Sequence, residues 1–155
     1  MSDWKRTTKE IPFEKLPPGM VSAIDYHIEQ YNLGPILSDS LMCIQTDSEK
    51  VKKGLFGRGA EIVQMGAVVT PGWLVWSIQE MKAQATVLSA QLINVTVQDY
   101  AQTPFAKMVS DSGIEVSGIF TDASESVSAF IGLDEGASAN KFKEIIIKAA
   151  QDAKK

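Results

Sequence analysis

The stretch Ser128 to Ala150, SAFIGLDEGASANKFKEIIIKAA, changes its hydrophobic period partway along. Around its start, Val127, Ala129, Ile131 and Leu133 alternate with Ser126, Ser128, Phe130 and Gly132, the period of a half-buried strand. Beyond Gly136, the residues Phe142, Ile145, Ile146, Ala149 and Ala153 share one helical face, and Lys141, Lys148 and Asp152 stay outside it. Ser138 suits the N-cap, and Lys154-Lys155 complement the negative end of the helix dipole. A last strand that runs into an amphipathic helix needs an apolar surface for the helix to cover, and a sheet supplies one.

Upstream, the chain reads as that sheet. LMCIQ, EIVQMGAVV, WLVWSI and ATVLSAQL are short runs of branched and aromatic residues bounded by turn residues. Thr70-Pro71-Gly72 makes a tight connection between the second and third of them. INVTVQDY alternates and is expected to continue the fourth strand through a bend. FAKMV and GIEVSGIF flank Ser110 to Gly113, which reads as a hairpin loop.

Residues 1–16 show no clean period and end at Pro17-Pro18-Gly19, so they read as an extended arm. Met20, Val21, Ile24, Ile28 and Tyr31 then mark one face of an amphipathic helix that closes at Gly34-Pro35. The expected organisation is an N-terminal arm plus helix over 1–36 and a main domain over 37–155.

The composition bounds the function. The 155 residues carry a net charge of −4, which works against non-specific nucleic-acid binding. No apolar run is long enough to cross a bilayer, and the first residues lack the apolar core of a signal peptide, so a cytoplasmic location is expected. Cys43, the single cysteine, sits among apolar neighbours and reads as a small buried hydrophobe. His27 is the single histidine and lies near the edge of the helical stripe. One His and one Cys make no recognisable zinc site, and no nucleophile elbow occurs. Neither an enzyme nor a cofactor site is expected.

Four strands, then three, then one terminal helix is an order that resembles the bacterial pleckstrin-homology-like (PH-like) domain family. VVTPGWLVWSI, DSGIEVSGIF and the quoted final stretch carry the likeness, which spans Leu37 to Lys155. It implies a mainly β (α+β) fold, a PH-like barrel of about seven antiparallel strands in two near-orthogonal sheets. The C-terminal α-helix would cap the barrel, and the N-terminal helix would be an addition to it. It also implies a non-catalytic module that binds proteins, membranes or phosphorylated head groups and often self-associates.

Candidate binding residues follow from charge and from aromatic placement. SEKVKKGLFGRG, Ser48 to Gly59, holds Lys50, Lys52, Lys53 and Arg58 around three glycines, for a local charge of +3. The cations and inward-turning amides suit an anion, and Leu55 and Phe56 at the tip could enter a membrane interface. The basic-x-arginine triplet of phosphoinositide-binding relatives is missing, since Phe56 stands two before Arg58. A solvated strand–loop–strand turn accounts for the same residues. The glycine spacing matches neither a P-loop nor a dinucleotide fingerprint. Trp73 and Trp76 lie three apart on one strand and so face opposite ways; one belongs to the core and the other to a surface or an interface. Trp4 could anchor the arm.

Three functions remain in order. The first is a protein–protein interaction module that self-associates or binds another protein. Here the acidic segment from Ala83 to Asn140, at −6, would face the basic loop of a second copy. The second is peripheral binding to an anionic membrane or ligand through the basic loop. The third is a small-molecule carrier with an apolar barrel interior, although a filled core explains those residues better.

Overall fold

The arm becomes a strand. In the computed structural model, which describes residues 4–51, 60–81 and 83–155, β1 (Trp4–Glu10) pairs antiparallel with β2 (Met42–Val51) from Trp4↔Lys50 to Glu10↔Ile44. Lys5, Arg6 and Lys9 give β1 the charge typical of an edge strand, and these charges hid its period. The pairing crosses the boundary drawn at residue 36, so β1 belongs to the sheet of the main domain.

Between these strands, α1 (Pro18–Gln30) opens with proline in its first turn, where the missing N–H costs no intrahelical bond. Met20, Ile24 and His27 are its buried residues. The sheet continues through β3 (Ala60–Val69), β4 (Trp73–Glu80) and β5 (Thr86–Gln91), five strands in the order β1-β2-β3-β4-β5. Leu16, Ile24, Cys43, Val68 and Val75 form a small core between α1 and the outer face of this sheet. Gly66 permits that contact, because a side chain there would press on Leu16 and Met20.

INVTVQDY does not prolong β5. A short 3-10 turn at Leu92–Asn94 turns the corner, and β6 (Val95–Asp99) enters a second sheet with β7 (Gly113–Gly118) and β8 (Val127–Gly132). FAKMV is not a strand either. Pro104–Lys107 is 3-10 helix, so Ser110 to Gly113 closes no hairpin. Proline at its first turn favours the helical start. Among the described residues, no backbone ladder joins the two sheets, so the barrel is not closed. Single bonds stitch one corner, from Thr121 N to Ser89 O at 2.8 Å and from Ile119 N to Asn94 O at 3.1 Å.

The terminal helix, α2 (Ala137–Ala153), is capped by Gly136, not Ser138. The Asp134 carboxylate accepts from Gly136 N at 2.8 Å and folds the turn before the helix. Phe142, Ile146, Ala149 and Ala150 are buried against Met42, Ile44, Leu74, Trp76, Val95, Ile114 and Ile131, in the main core between the sheets. Burying a large apolar side chain contributes about 1.5–3 kcal/mol, so this helix holds the two sheets together. At its end, Lys154 Nζ donates to the carbonyls of Leu92 and Val95 at 3.0 and 2.6 Å and so fixes α2 to the corner.

Candidate functional site

Where the edges of β1 and β8 approach without pairing, a cleft of about 270 Å³ opens between the sheets. Its walls follow from register. Trp4 and Arg6 share one face of β1, Arg6 stands opposite Ser48, and Ser48 stands opposite Val63. Met65 faces Ile78 across β3 and β4, and Ala67 faces Trp76. Phe130, Ile131 and Gly132 of β8 form the far wall.

Arg6 dominates the mouth. Its Nε and Nη2 donate to Asp111 Oδ1 and Oδ2 at 3.2 and 2.8 Å, and Nη1 donates to Ser48 Oγ at 2.6 Å. The two charged side chains are only 10% and 13% exposed. The guanidinium carbon lies 5.4 Å from the Trp4 ring and 5.6 Å from the Phe130 ring, within cation–π range of both. Gly132 makes this possible, because a Cβ there would overlap the guanidinium. Below the mouth the lining is apolar. The Trp76 indole N–H is buried and has no hydrogen-bond partner among the described residues.

The basic loop falls largely outside the described residues, since Lys52, Lys53, Leu55, Phe56 and Arg58 all lie in 52–59. Lys50 is described, and its Nζ lies 5.7 Å from the Trp4 ring centroid. Lys50 and Trp4, singled out for separate reasons, therefore meet at the rim of the cleft. Trp76 is fully buried and packs edge-on against Phe120 at 5.4 Å. Trp73 is half-buried at the start of β4. Arg6, Asp111, Phe130 and Gly132 escaped the sequence reading. The signal that was available is the alternation Trp4, Arg6, Thr8 along the arm.

A second polar cluster lies between α1 and β5. His27 Nε2 is 2.8 Å from Ser89 Oγ, which is 2.6 Å from Thr121 Oγ1. The Tyr31 ring lies beside the imidazole, with centroids 4.8 Å apart. Burial pulls the imidazole below its usual pKa. A Ser–His contact is the start of a nucleophilic dyad. However, Ser89 is 1% exposed and its hydroxyl is shared with Thr121, so a substrate has no approach to the oxygen. The cluster instead ties α1 to the corner between the sheets.

Among the described residues, no group of three or more His, Cys, Asp or Glu side chains gathers as metal ligands. No helix there is long and apolar enough to cross a membrane. No protein-family model, curated protein or solved structure matches the chain.

Proposed function

We propose that this protein is a non-catalytic interaction module of the PH-like type, and that it associates with a second copy of itself through the free edge of β8. The order of four strands (β2 to β5), three strands (β6 to β8) and a covering terminal helix supports the family reading. β1 and α1 stand as additions to that order.

The observation that carries the association is the edge itself. Among the described residues β8 pairs with β7 alone, and the chain from Ser126 to Leu133 has no charge and no proline. Natural sheets usually protect such an edge with lysine, proline or a bulge. Leu133 N donates to Ser112 O, and the register places residues 127, 129 and 131 in the same bonding phase. The N–H and C=O groups of Ser128 and Phe130 therefore point away from β7. Those of Phe130 face the cleft beside β1, and those of Ser128, beyond the cleft lining, are the ones offered to a new partner. Apolar surface lies alongside. Val127 and Phe130 are 43% and 39% exposed, and Phe105, Met108 and Val109 lie exposed on the β6–β7 connection. Tyr100 joins these groups, with its ring 5.0 Å from Phe130 and its hydroxyl bonded to Val109 O at 2.7 Å. An antiparallel β8–β8 pairing about a two-fold axis satisfies both edges and covers both apolar flanks.

Light scattering of the full chain over a concentration series tests this. A dimer is expected for the wild type. Ser128→Pro removes one outward N–H and leaves the β7 ladder intact, so it is expected to give a folded monomer. A wild type that stays monomeric at high concentration, or a Ser128→Pro dimer of unchanged affinity, would overturn the reading. Binding to anionic surfaces rests on Lys50 alone among the described residues, and Lys50 lies over Trp4. Sedimentation with anionic vesicles at low and high salt tests that second reading in the same samples.

A further inference from the structure

We infer that the groove between α1 and the outer edge of β5 binds an extended peptide segment of a partner protein, which joins β5 as an antiparallel strand and brings an arginine or lysine to Asp122. The edge comes first. β5 ends the five-strand order, so among the described residues only β4 pairs with it. Leu92 N donates to Gly72 O, and the register puts residues 86, 88 and 90 in the same bonding phase toward β4. The N–H and C=O groups of Val87 and Ser89 therefore point away from the sheet. Thr121 N occupies Ser89 O at 2.8 Å and Ser89 is 1% exposed, which leaves half-buried Val87 as the residue that offers both groups. From Ala83 to Gln98 the chain carries neither charge nor proline, so nothing in its composition blocks an added strand.

The walls define the segment. The β5 edge from Ala85 to Ser89 lines one side of the groove, and Ala23, Tyr26, Gln30 and Tyr31 of α1 line the other, around a volume of about 400 Å³. That space suits a few residues of extended chain rather than a second sheet with its own covering helix. Val87 packs with the small core under α1, so its side chain faces the helix. The residue opposite Val87 in an added strand faces the same wall, where Tyr26 is 67% exposed, and an apolar side chain fits there. Two residues along that face, about 7 Å away, the groove ends at Thr121 and Asp122. Burial keeps His27 neutral near pH 7, so Asp122 is the only charged side chain lining the groove among the described residues. Its carboxylate accepts from the Tyr31 hydroxyl at 3.4 Å, and no cation pairs with it among the described residues. A basic residue on the segment supplies the missing charge, and an acidic one would be repelled.

The peptide Arg-Thr-Val-Thr-Thr, blocked at both ends, serves as the probe. With its valine opposite Val87 in an antiparallel strand, its arginine falls at the Asp122 end. It is titrated into the full 15N-labelled chain. The expected result is a saturable downfield shift of the Val87 amide, with the other shifts confined to β5 and the facing side of α1. Methylating the amide nitrogen of the probe's valine removes the donor to Val87 O and is expected to weaken binding about fivefold. Asp122→Asn keeps a residue that tolerates the φ of +63° found there. It is expected to lower affinity for the probe about threefold and to make binding less sensitive to salt. Ser128→Pro is expected to bind as the wild type does, which separates this groove from the association through β8. The inference is overturned by a Val87 amide that does not move at millimolar probe, by equal affinity for the methylated probe, or by unchanged affinity in Asp122→Asn.

Discussion

Arg6 and Asp111, 105 residues apart, form a two-point ion pair that ties the first strand to the segment leading into β7. Next to it, Thr8 N donates to Asp134 Oδ2 at 2.8 Å and Asp134 N donates to Thr8 Oγ1 at 3.0 Å. These two side-chain clasps join β1 to the second sheet where no ladder does. Removing one member of a mostly buried pair costs about 3 kcal/mol. Arg6→Met and Asp111→Asn should each lose roughly that much in urea unfolding. The double variant should lose clearly less than the sum, because the pair acts as one unit.

Gly132 tests the same clasp from the other side. Gly132→Ala places a methyl group where the guanidinium lies, so Arg6 must leave Asp111. A loss of about 1–3 kcal/mol is expected in the wild type. In an Arg6→Met background the substitution should cost little. An equal cost in both backgrounds would assign the glycine to something other than the approach of Arg6.

Cys43 should be chemically silent. It is 6% exposed, and burial, followed by the charge of Glu14, pushes its thiol up to about 12. Thiolate is the reactive form, so labelling by a disulfide reagent near pH 8 should run on the order of a thousandfold slower than in denaturant. A native rate close to the denatured one would show that α1 opens readily from the sheet.

His27 should make the fold sensitive to mild acid. Its folded pKa lies below the ordinary value of 6.5 because the ring is buried. Between the two values the unfolded chain holds a proton that the folded chain does not, so unfolding takes up a proton and falling pH favours it. The stability held here is complete above 6.5 and is lost as pH drops toward the folded value. His27→Gln removes this titration. Between about pH 7.5 and 5.5 its Tm should fall less than that of the wild type, and parallel decreases would place the acid sensitivity elsewhere.

Much of the architecture was legible in local patterns. The alternation of Val127, Ala129, Ile131 and Leu133 and the helical stripe through Phe142, Ile146 and Ala149 are properties of neighbouring residues. One buried face imposes each of them. The pairing of Trp73 and Trp76 limited one of them to the core without saying which. Burial of Trp76 against Phe120 came from the β7–β8 connection, which the pattern of β4 does not contain. The candidate site was less legible than the fold. Lys50 stood out by charge, yet its neighbour across the ladder is Trp4, from a segment with no apolar period at all.

What the sequence by itself determined is a set of elements and their buried faces, because period and turn chemistry act over a few residues. It determined a mainly β chain with a covering C-terminal helix. Only the tertiary structure decided that the arm is a strand, because an edge strand gains its hydrogen bonds from a partner some forty residues away and needs no apolar period of its own. Only the tertiary structure also brought Arg6, Asp111 and Gly132 to one point. That arrangement depends on how two sheets meet, and contacts across 105 residues leave no local trace in the sequence.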